Sequence, residues 1–165
     1  MSWRGSASSS DRVFSCLVYL FPLMDVVGLV GGVLFAAGSF LSPILAFIIV
    51  PLSPLLRVYY GSQFIPLVVF FALYMLVVRN ESIPHFIRFN TMQSILIGIV
   101  LSLFSIVWSM ILGSILPPSS ILTQTIFNTV FLGTIAAVFY SMVQSALGRY
   151  AEIPTISEAA YSQVR

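Results

Sequence analysis

The sequence predicts an all-α, polytopic integral membrane protein: four transmembrane helices in a bundle, with both termini on the inner side (N-in/C-in). Three observations lead there. Of 165 residues, 59% are apolar and 7% charged, with a mean hydropathy of +1.05, whereas soluble domains carry about 25% charged residues. The apolar residues gather into runs of roughly 20, the length that crosses a hydrocarbon core of about 30 Å. The arginines fall mostly on one side of those runs.

Residues 1–12 are Ser-rich and carry Arg4 and Arg12, like the start of a signal peptide. The apolar run that follows, residues 13–35, exceeds the about 7 to 15 residues of a signal core. It is therefore expected to be a retained first span, with Ser10 and Asp11 at its N-cap, and no cleavable transit peptide is expected. Further spans are expected at residues 58–78, 91–112 and 121–147. A fifth apolar run, residues 40–56, competes with them. Its prolines Pro43, Pro51 and Pro54 remove backbone donors and break a helix in lipid unless neighbouring protein satisfies the freed carbonyls.

Charge decides between four spans and five. With four, Arg4, Arg12, Arg79, Arg88, Arg149 and Arg165 lie inside and only Arg57 outside; with five, Arg4, Arg12 and Arg57 are inside and the other four outside. The positive-inside rule favours four. The expected organisation is an inner segment 1–12, a membrane domain 13–147 with an interfacial or re-entrant segment 40–56, and an inner tail 148–165. Tyr59 and Tyr60 suit an interfacial belt, and the uncharged Pro117-Pro118-Ser-Ser turn suits a translocated loop.

Small residues at three- and four-residue spacing mark helix contact faces in lipid. The first span offers Gly28, Gly32 and Ala36; the third Ser94, Gly98, Ser102, Ser105, Ser109 and Gly113; the fourth Thr129, Gly133, Ala137, Ser141 and Ser145. A tightly packed bundle accounts for these stripes, and a water-lined path is the alternative. The second span has only Ala72 in its middle and is expected to face lipid.

Asp25 is the one acid within a span. An ionised carboxylate there is costly, so it is expected to be protonated and hydrogen-bonded to another helix, to sit near an interface, or to contact an ion or substrate. Asn90, Gln93, Asn128 and Gln144 sit at span ends and can bond neighbouring helices. His85 is the only histidine, expected to be solvated or to contact a helix start. Arg79 and Arg88, with Arg149, form the main inner basic feature, either snorkelling to the phosphate layer or binding a partner or acidic ligand. The tail has Pro154 to stop the fourth helix and about two helical turns over residues 157–164.

Several classes are excluded. There is no lysine, hence no P-loop, Schiff base or lysine-rich lipid patch. A net charge of +2 gives no footprint for nucleic acid. Cys16 is the single cysteine, so no intrachain disulfide or thiolate cluster forms. No Gly-x-Ser-x-Gly elbow, His-Glu-x-x-His or acidic cluster is present. No catalytic, cofactor-binding or metal site is expected, and the chain is not expected to be an enzyme.

One run is more specific than hydropathy. His85-Phe-Ile-Arg-Phe-Asn-Thr-Met-Gln-Ser-Ile-Leu, preceded by Val-Val-Arg79-Asn80, closely resembles the signature of the twenty-kilodalton subunit family of the translocon at the inner chloroplast envelope and its cyanobacterial homologues. Trp3-Arg4-Gly5 with Asp11-Arg12, Leu17-Val-Tyr-Leu-Phe-Pro22-Leu, and Gly148-Arg149-Tyr150-Ala-Glu152-Ile-Pro154-Thr-Ile-Ser-Glu158-Ala agree with it. The resemblance implies a four-helix membrane subunit that takes part in moving precursor proteins, channel-forming or channel-associated. It places the chain in a cyanobacterial membrane, the plasma membrane first, or in the plastid inner envelope, as a cyanobacterial or plastid-encoded member.

Four helices packed about 8 to 10 Å apart leave a core filled by side chains. A conduit therefore needs several copies, other translocon subunits, or an opened seam. The expected partners are lipid, further copies or other membrane subunits, and precursor polypeptides as cargo. The alternatives are a small-solute transporter using Asp25, Asn90, Asn128 and Gln144, and a non-conducting assembly scaffold.

Overall fold

The computed structural model describes residues 7–164. Trp3, Arg4, Gly5 and Arg165, which enter the resemblance and the charge count, lie outside them. Among the described residues there are only helices and turns.

Helix α1, Ser9–Leu17, is capped by Ser8. The Ser8 hydroxyl accepts from the Asp11 amide at 3.2 Å, and the Asp11 carboxylate accepts from the Ser8 amide at 2.9 Å, a reciprocal capping box. The cap thus falls before the expected Ser10 and Asp11, and Asp11 serves as the acid three residues in. Helix α2, Leu20–Ala36, continues α1 into one 28-residue apolar stretch, Ser9–Ala36. The break at Val18 and Tyr19 has a cause: Pro22 has no N–H for the Val18 carbonyl and its ring crowds that oxygen. The Val18 carbonyl accepts instead from the Ser94 hydroxyl at 2.6 Å and from the Phe21 amide at 3.3 Å.

Helix α3, Ser42–Tyr59, carries Pro43 in its first turn, where no donor is needed, and Pro51 and Pro54 inside. The Ser53 hydroxyl donates to the Val50 carbonyl at 2.9 Å, the acceptor that Pro54 leaves without its helical partner. A turn follows, tight enough that a Cβ at Gly61 would lie 2.9 Å from the Arg57 carbonyl oxygen. Helix α4, Ile65–Ala72, begins with Pro66 in its first turn and runs into a wider winding, Leu73–Val78.

Residues 58–78 therefore do not form one helix, as the expected second span required: Gly61 and Pro66 bracket a turn inside it. Four helices are long and apolar enough to cross a membrane: Ser9–Ala36, Ser42–Tyr59, His85–Ser114 and Ile121–Ala146, with Ile65–Val78 shorter. The expected number is present among the described residues, but by length the proline-bearing helix is in the set.

Helix α5, His85–Met110, starts before the expected residue 91. Helix α6, Ile121–Ala146, is capped by the Ser120 hydroxyl on the Thr123 amide. Helix α7, Ile156–Gln163, follows Thr155, whose φ of 69° is uncommon for a β-branched residue.

The side-chain ties fix the directions. Val18 meets Ser94 and Asp25 meets Gly98, so α2 and α5 run parallel; Cys16 meets Met142 and Ser39 meets Asn128, so α6 runs against them. The starts of α1 and α5, the end of α6 and the tail gather at one end with Arg12, Arg79, Arg88 and Arg149. We call it the basic end.

Helices α3 and α4 together make the return passage. The Ser42 hydroxyl holds the Leu34 carbonyl at 2.8 Å, the Tyr59 hydroxyl holds Asp25 at 2.8 Å, and Arg88 holds the Val78 carbonyl at 2.8 Å at the basic end. At about 1.5 Å per residue, α3 covers about 25 Å between its two anchors and α2 only about 14 Å. Helix α3 therefore slants away from α2 rather than lying along it.

The bundle centre is filled by Val26, Val30, Leu34, Phe127, Phe131 and Val138, all 2% exposed or less. The predicted small-residue faces divide. Gly28 and Gly98 are contact points and Ser141 is buried, but Gly32 and Gly133 face open space, and Ser102, Ser105 and Ser109 are exposed. These last five are not packed against other helices among the described residues.

The Pro22 break makes a direct prediction. Ser94→Ala is expected to lower stability by about 1 kcal/mol by removing the shorter of the two hydrogen bonds to the Val18 carbonyl. In a Pro22→Ala background, where the residue 22 amide can serve that carbonyl, the loss should shrink, as read from unfolding midpoints in a double-mutant cycle.

Candidate functional site

Two polar constellations stand out in this apolar chain. The first surrounds Asp25, near the middle of the Ser9–Ala36 helix. Its Oδ1 accepts from the Tyr59 hydroxyl at 2.8 Å, and the adjacent Tyr60 hydroxyl donates to the Met24 carbonyl at 3.1 Å. Two glycines permit this. A Cβ at Gly28 would overlap the Tyr60 phenol, and one at Gly98 would lie 3.2 Å from Asp25 Oδ2.

Asp25 borders a cavity of about 400 Å³ between α4 and α5, walled by Phe21, Tyr59, Phe70, Ile95 and Ile99 with Gln63 and Ser102 at its polar points. It also borders a second cavity of about 270 Å³ beside Gly28, Tyr60 and Ser105. The larger cavity exists because Leu73–Val78 packs along α5 while Ile65–Ala72 stands off from it; no residue of Ile65–Ala72 is buried.

The second constellation lies at the basic end. Tyr19, Asn90, Gln93 and Ser145 are fully buried. The Tyr19 hydroxyl is 2.9 Å from Asn90 Oδ1 and 3.3 Å from Gln93 Oε1, and the Ser145 hydroxyl also donates to Asn90 Oδ1, at 3.0 Å. The amide of Asn90 donates to the Phe86 carbonyl at 2.8 Å. One phenol has one proton, so it goes to the nearer acceptor, Asn90. Asn90 thereby joins α2, α5 and α6.

The tail is seated on this cluster. Gln93 Nε2 reaches the Ser157 hydroxyl at 3.4 Å, and Ser157 in turn accepts from the Ile153 amide at 2.6 Å and donates to the Ala151 carbonyl at 3.1 Å. His85 is a clamp rather than a solvated loop residue: Nδ1 lies 3.0 Å from the Tyr150 hydroxyl and Nε2 3.2 Å from the Val164 carbonyl. A carbonyl only accepts, so a neutral ring meeting both contacts carries its proton on Nε2 and accepts from Tyr150. Phe89 packs against Tyr161 and Tyr150, with ring centroids 4.4 and 5.0 Å apart.

The sequence candidates thus separate. His85, Asn90 and Gln93 converge at the basic end, with the buried Ser141 nearby. Arg88 is buried, its Nε on the Val78 carbonyl, and so does not belong to an outward basic patch, whereas Arg79 and Arg149 are exposed. Asn128 lies at the opposite end, accepting from the Ser39 hydroxyl at 2.8 Å. The half-buried Gln144 carries its Oε1 without a hydrogen-bond donor. Asp25 shares a site with none of these amides. Tyr59, which bonds Asp25, and Tyr60, which bonds the neighbouring Met24 carbonyl, read from sequence as an interfacial belt, because nothing in a tyrosine pair announces a carboxylate 34 residues before Tyr59.

A basic end sealed by its own tail, and one carboxylate opening onto cavities among four long apolar helices, define a polytopic helical membrane protein. The family model described as "Chloroplast import apparatus Tic20-like" matches residues 9–160, and the chain belongs to the Tic20 family. It is 47% identical to a Tic20 family protein of Synechocystis sp., covering 100% of this chain and 99% of that one. It is 34% identical to the Tic20 family protein Ycf60 of Pyropia yezoensis, over 94% of this chain and 76% of that one. It is 28% identical to Protein TIC 20-v, chloroplastic, of Arabidopsis thaliana, over 96% and 73%. The four long apolar helices and this family make it a multi-pass membrane protein.

The tail clamp is testable. His85→Ala removes two contacts worth about 1 kcal/mol each. It is expected to raise amide exchange over Ile156–Gln163 by roughly ten- to thirty-fold while leaving α6 unchanged; equal exchange would show that α7 is held without the histidine.

Proposed function

We propose that the chain is a non-enzymatic membrane subunit of a precursor-protein translocation complex, channel-forming or channel-associated, working with further copies or partner subunits. The observation that carries this reading is the match to a chloroplast import apparatus family over residues 9–160, nearly the whole described structure. The geometry narrows how the role is performed. The filled bundle centre leaves no conduit for a polypeptide along the axis of one copy. The place where the wall is thin is the seam between α4 and α5, beside Asp25.

Arg57 supports an assembly. It is exposed, two residues before the tyrosine that reaches Asp25 at mid-helix depth. A guanidinium so placed calls for water or a partner acid, since lipid tails supply neither. The basic end, with four of the described arginines, faces the cytoplasm or stroma by the positive-inside rule, giving an N-in/C-in chain. The small-solute reading keeps Asp25 but not the amides set beside it, because Asn90, Asn128 and Gln144 do not gather around Asp25.

Two measurements test this. A photoreactive residue at Ser102, which borders both cavities, should form adducts with diverse precursor polypeptides, and one at the open Gly133 should not. Adducts only to lipid and to fixed membrane subunits would make the chain a scaffold. In a Cys16→Ser background, single cysteines at Ser8 and Ser162 should label from one side of the membrane and one at Ser119 from the other.

A further inference from the structure

We infer that the paired cavities at Asp25 form a binding site for an organic cation, an ammonium or guanidinium group carried on an apolar body. The inference goes beyond the translocation reading and does not depend on it. It starts from the carboxylate. Oδ1 is satisfied by the Tyr59 hydroxyl; Oδ2 has no hydrogen-bond partner from the described residues and is not sealed among the buried unpartnered atoms, so it is reached from the cavities. An ionised acid at this depth needs a counter-charge, and a protonated one needs an acceptor for its proton. The described residues provide neither at Oδ2. None of the described arginines borders either cavity.

The walls fit an organic cation better than a bare ion. A metal needs several converging oxygens, and the described residues hold no group of acids, histidines or cysteines that could supply them. The larger cavity instead is lined by the aromatic residues Phe21, Tyr59 and Phe70 near one carboxylate, with Ile95 and Ile99 for an apolar body. Aromatic faces attract organic cations, and the volume of about 400 Å³ falls in the range of small-molecule pockets, about 300 to 1,000 Å³. The exposed α4 leaves the entrance at membrane depth, where an apolar carrier travels.

The cation has two possible sources, a basic side chain on an apolar polypeptide segment or an amine-headed lipid, and the same experiment separates them. The full chain in nanodiscs of uncharged galactolipid is titrated with labelled dodecylamine, with dodecanol as the uncharged control. Saturable binding of the amine and not of the alcohol is expected. Asp25→Asn keeps the acceptor for Tyr59 and removes the charge; it should weaken binding by about ten-fold or more, as loss of one partner of a desolvated charge pair does.

Ser102→Phe fills the cavity with Asp25 intact and should weaken binding as much, so the inference stays exposed to refutation if Asp25→Asn fails to fold. Absence of saturable binding, or equal binding by wild type and folded variants, would overturn it and leave water as the occupant. Displacement by an apolar peptide containing one arginine, but not by its glutamine counterpart, assigns the cation to polypeptide. Displacement by phosphatidylethanolamine alone assigns it to lipid.

Discussion

Every backbone carbonyl freed inside a bilayer must find a donor within the protein, because no water is there to serve it. Several of the side-chain ties in this chain answer that demand. Pro22 removes the helical donor to the Val18 carbonyl and Ser94 supplies one; Pro54 does the same to that of Val50 and Ser53 supplies one; Leu34 lies in the last turn of α2 and Ser42 donates to its carbonyl. Where the wider winding ends, the buried Arg88 takes the Val78 carbonyl. The same ties set the architecture. Ser94 fixes the register of α5 on α2, Ser42 turns the chain at the far end of α2, and Arg88 draws the loop 79–84 against α5. Arg88 is thereby committed to structure, which is why a buried arginine stands among exposed ones at the basic end.

Glycines do their work here at points rather than along faces. Gly28 lets the Tyr60 hydroxyl reach the Met24 carbonyl, and Gly98 makes room for the Asp25 carboxylate. Gly148, with φ +72°, turns the chain out of α6 so that the tail folds back onto α5. Gly32 and Gly133, at equally regular spacing, meet none of the other described residues at the position of a Cβ. Spacing records which residues share a helix face, and only the path of the other helices decides whether that face is covered.

That distinction explains what the sequence revealed. The fold class, three of the long helices and the family were legible, because length, hydropathy and the run from His85 to Leu96 are local properties. Asp25 was legible as a costly group in the wrong solvent. Its partners were not: Tyr59 reaches it from a helix whose prolines argued against a crossing. The second span misled because the turn at Gly61, Ser62 and Gln63 is a polar dip of only a few residues, which a window of about 20 residues averages into the apolar sequence on either side. His85 read as a solvated residue or a helix-start contact, and Ser157 only as the start of two helical turns in the tail. Only the folded-back path of residues 149–164, after Gly148 and the strained Thr155, places them against one polar cluster.

The same ties show where the protein can move. Helices α1, α2, α5 and α6 share a filled centre and a fully buried hydrogen-bond cluster, so separating them exposes both apolar area and unpaired polar groups. Helices α3 and α4 share little of this. Leu45, Leu52 and Tyr59 are the buried residues of α3, and α4 has none. Between the Ser42 anchor and the Arg88 anchor, this passage is held to the bundle by polar bonds only through Tyr59 and Tyr60, on Asp25 and Met24. Releasing two hydrogen bonds costs about 1 to 3 kcal/mol in all, within reach of a binding partner's differential affinity. The passage that a conduit would have to displace is thus the one the fold secures least, and the group that secures it is the intramembrane acid.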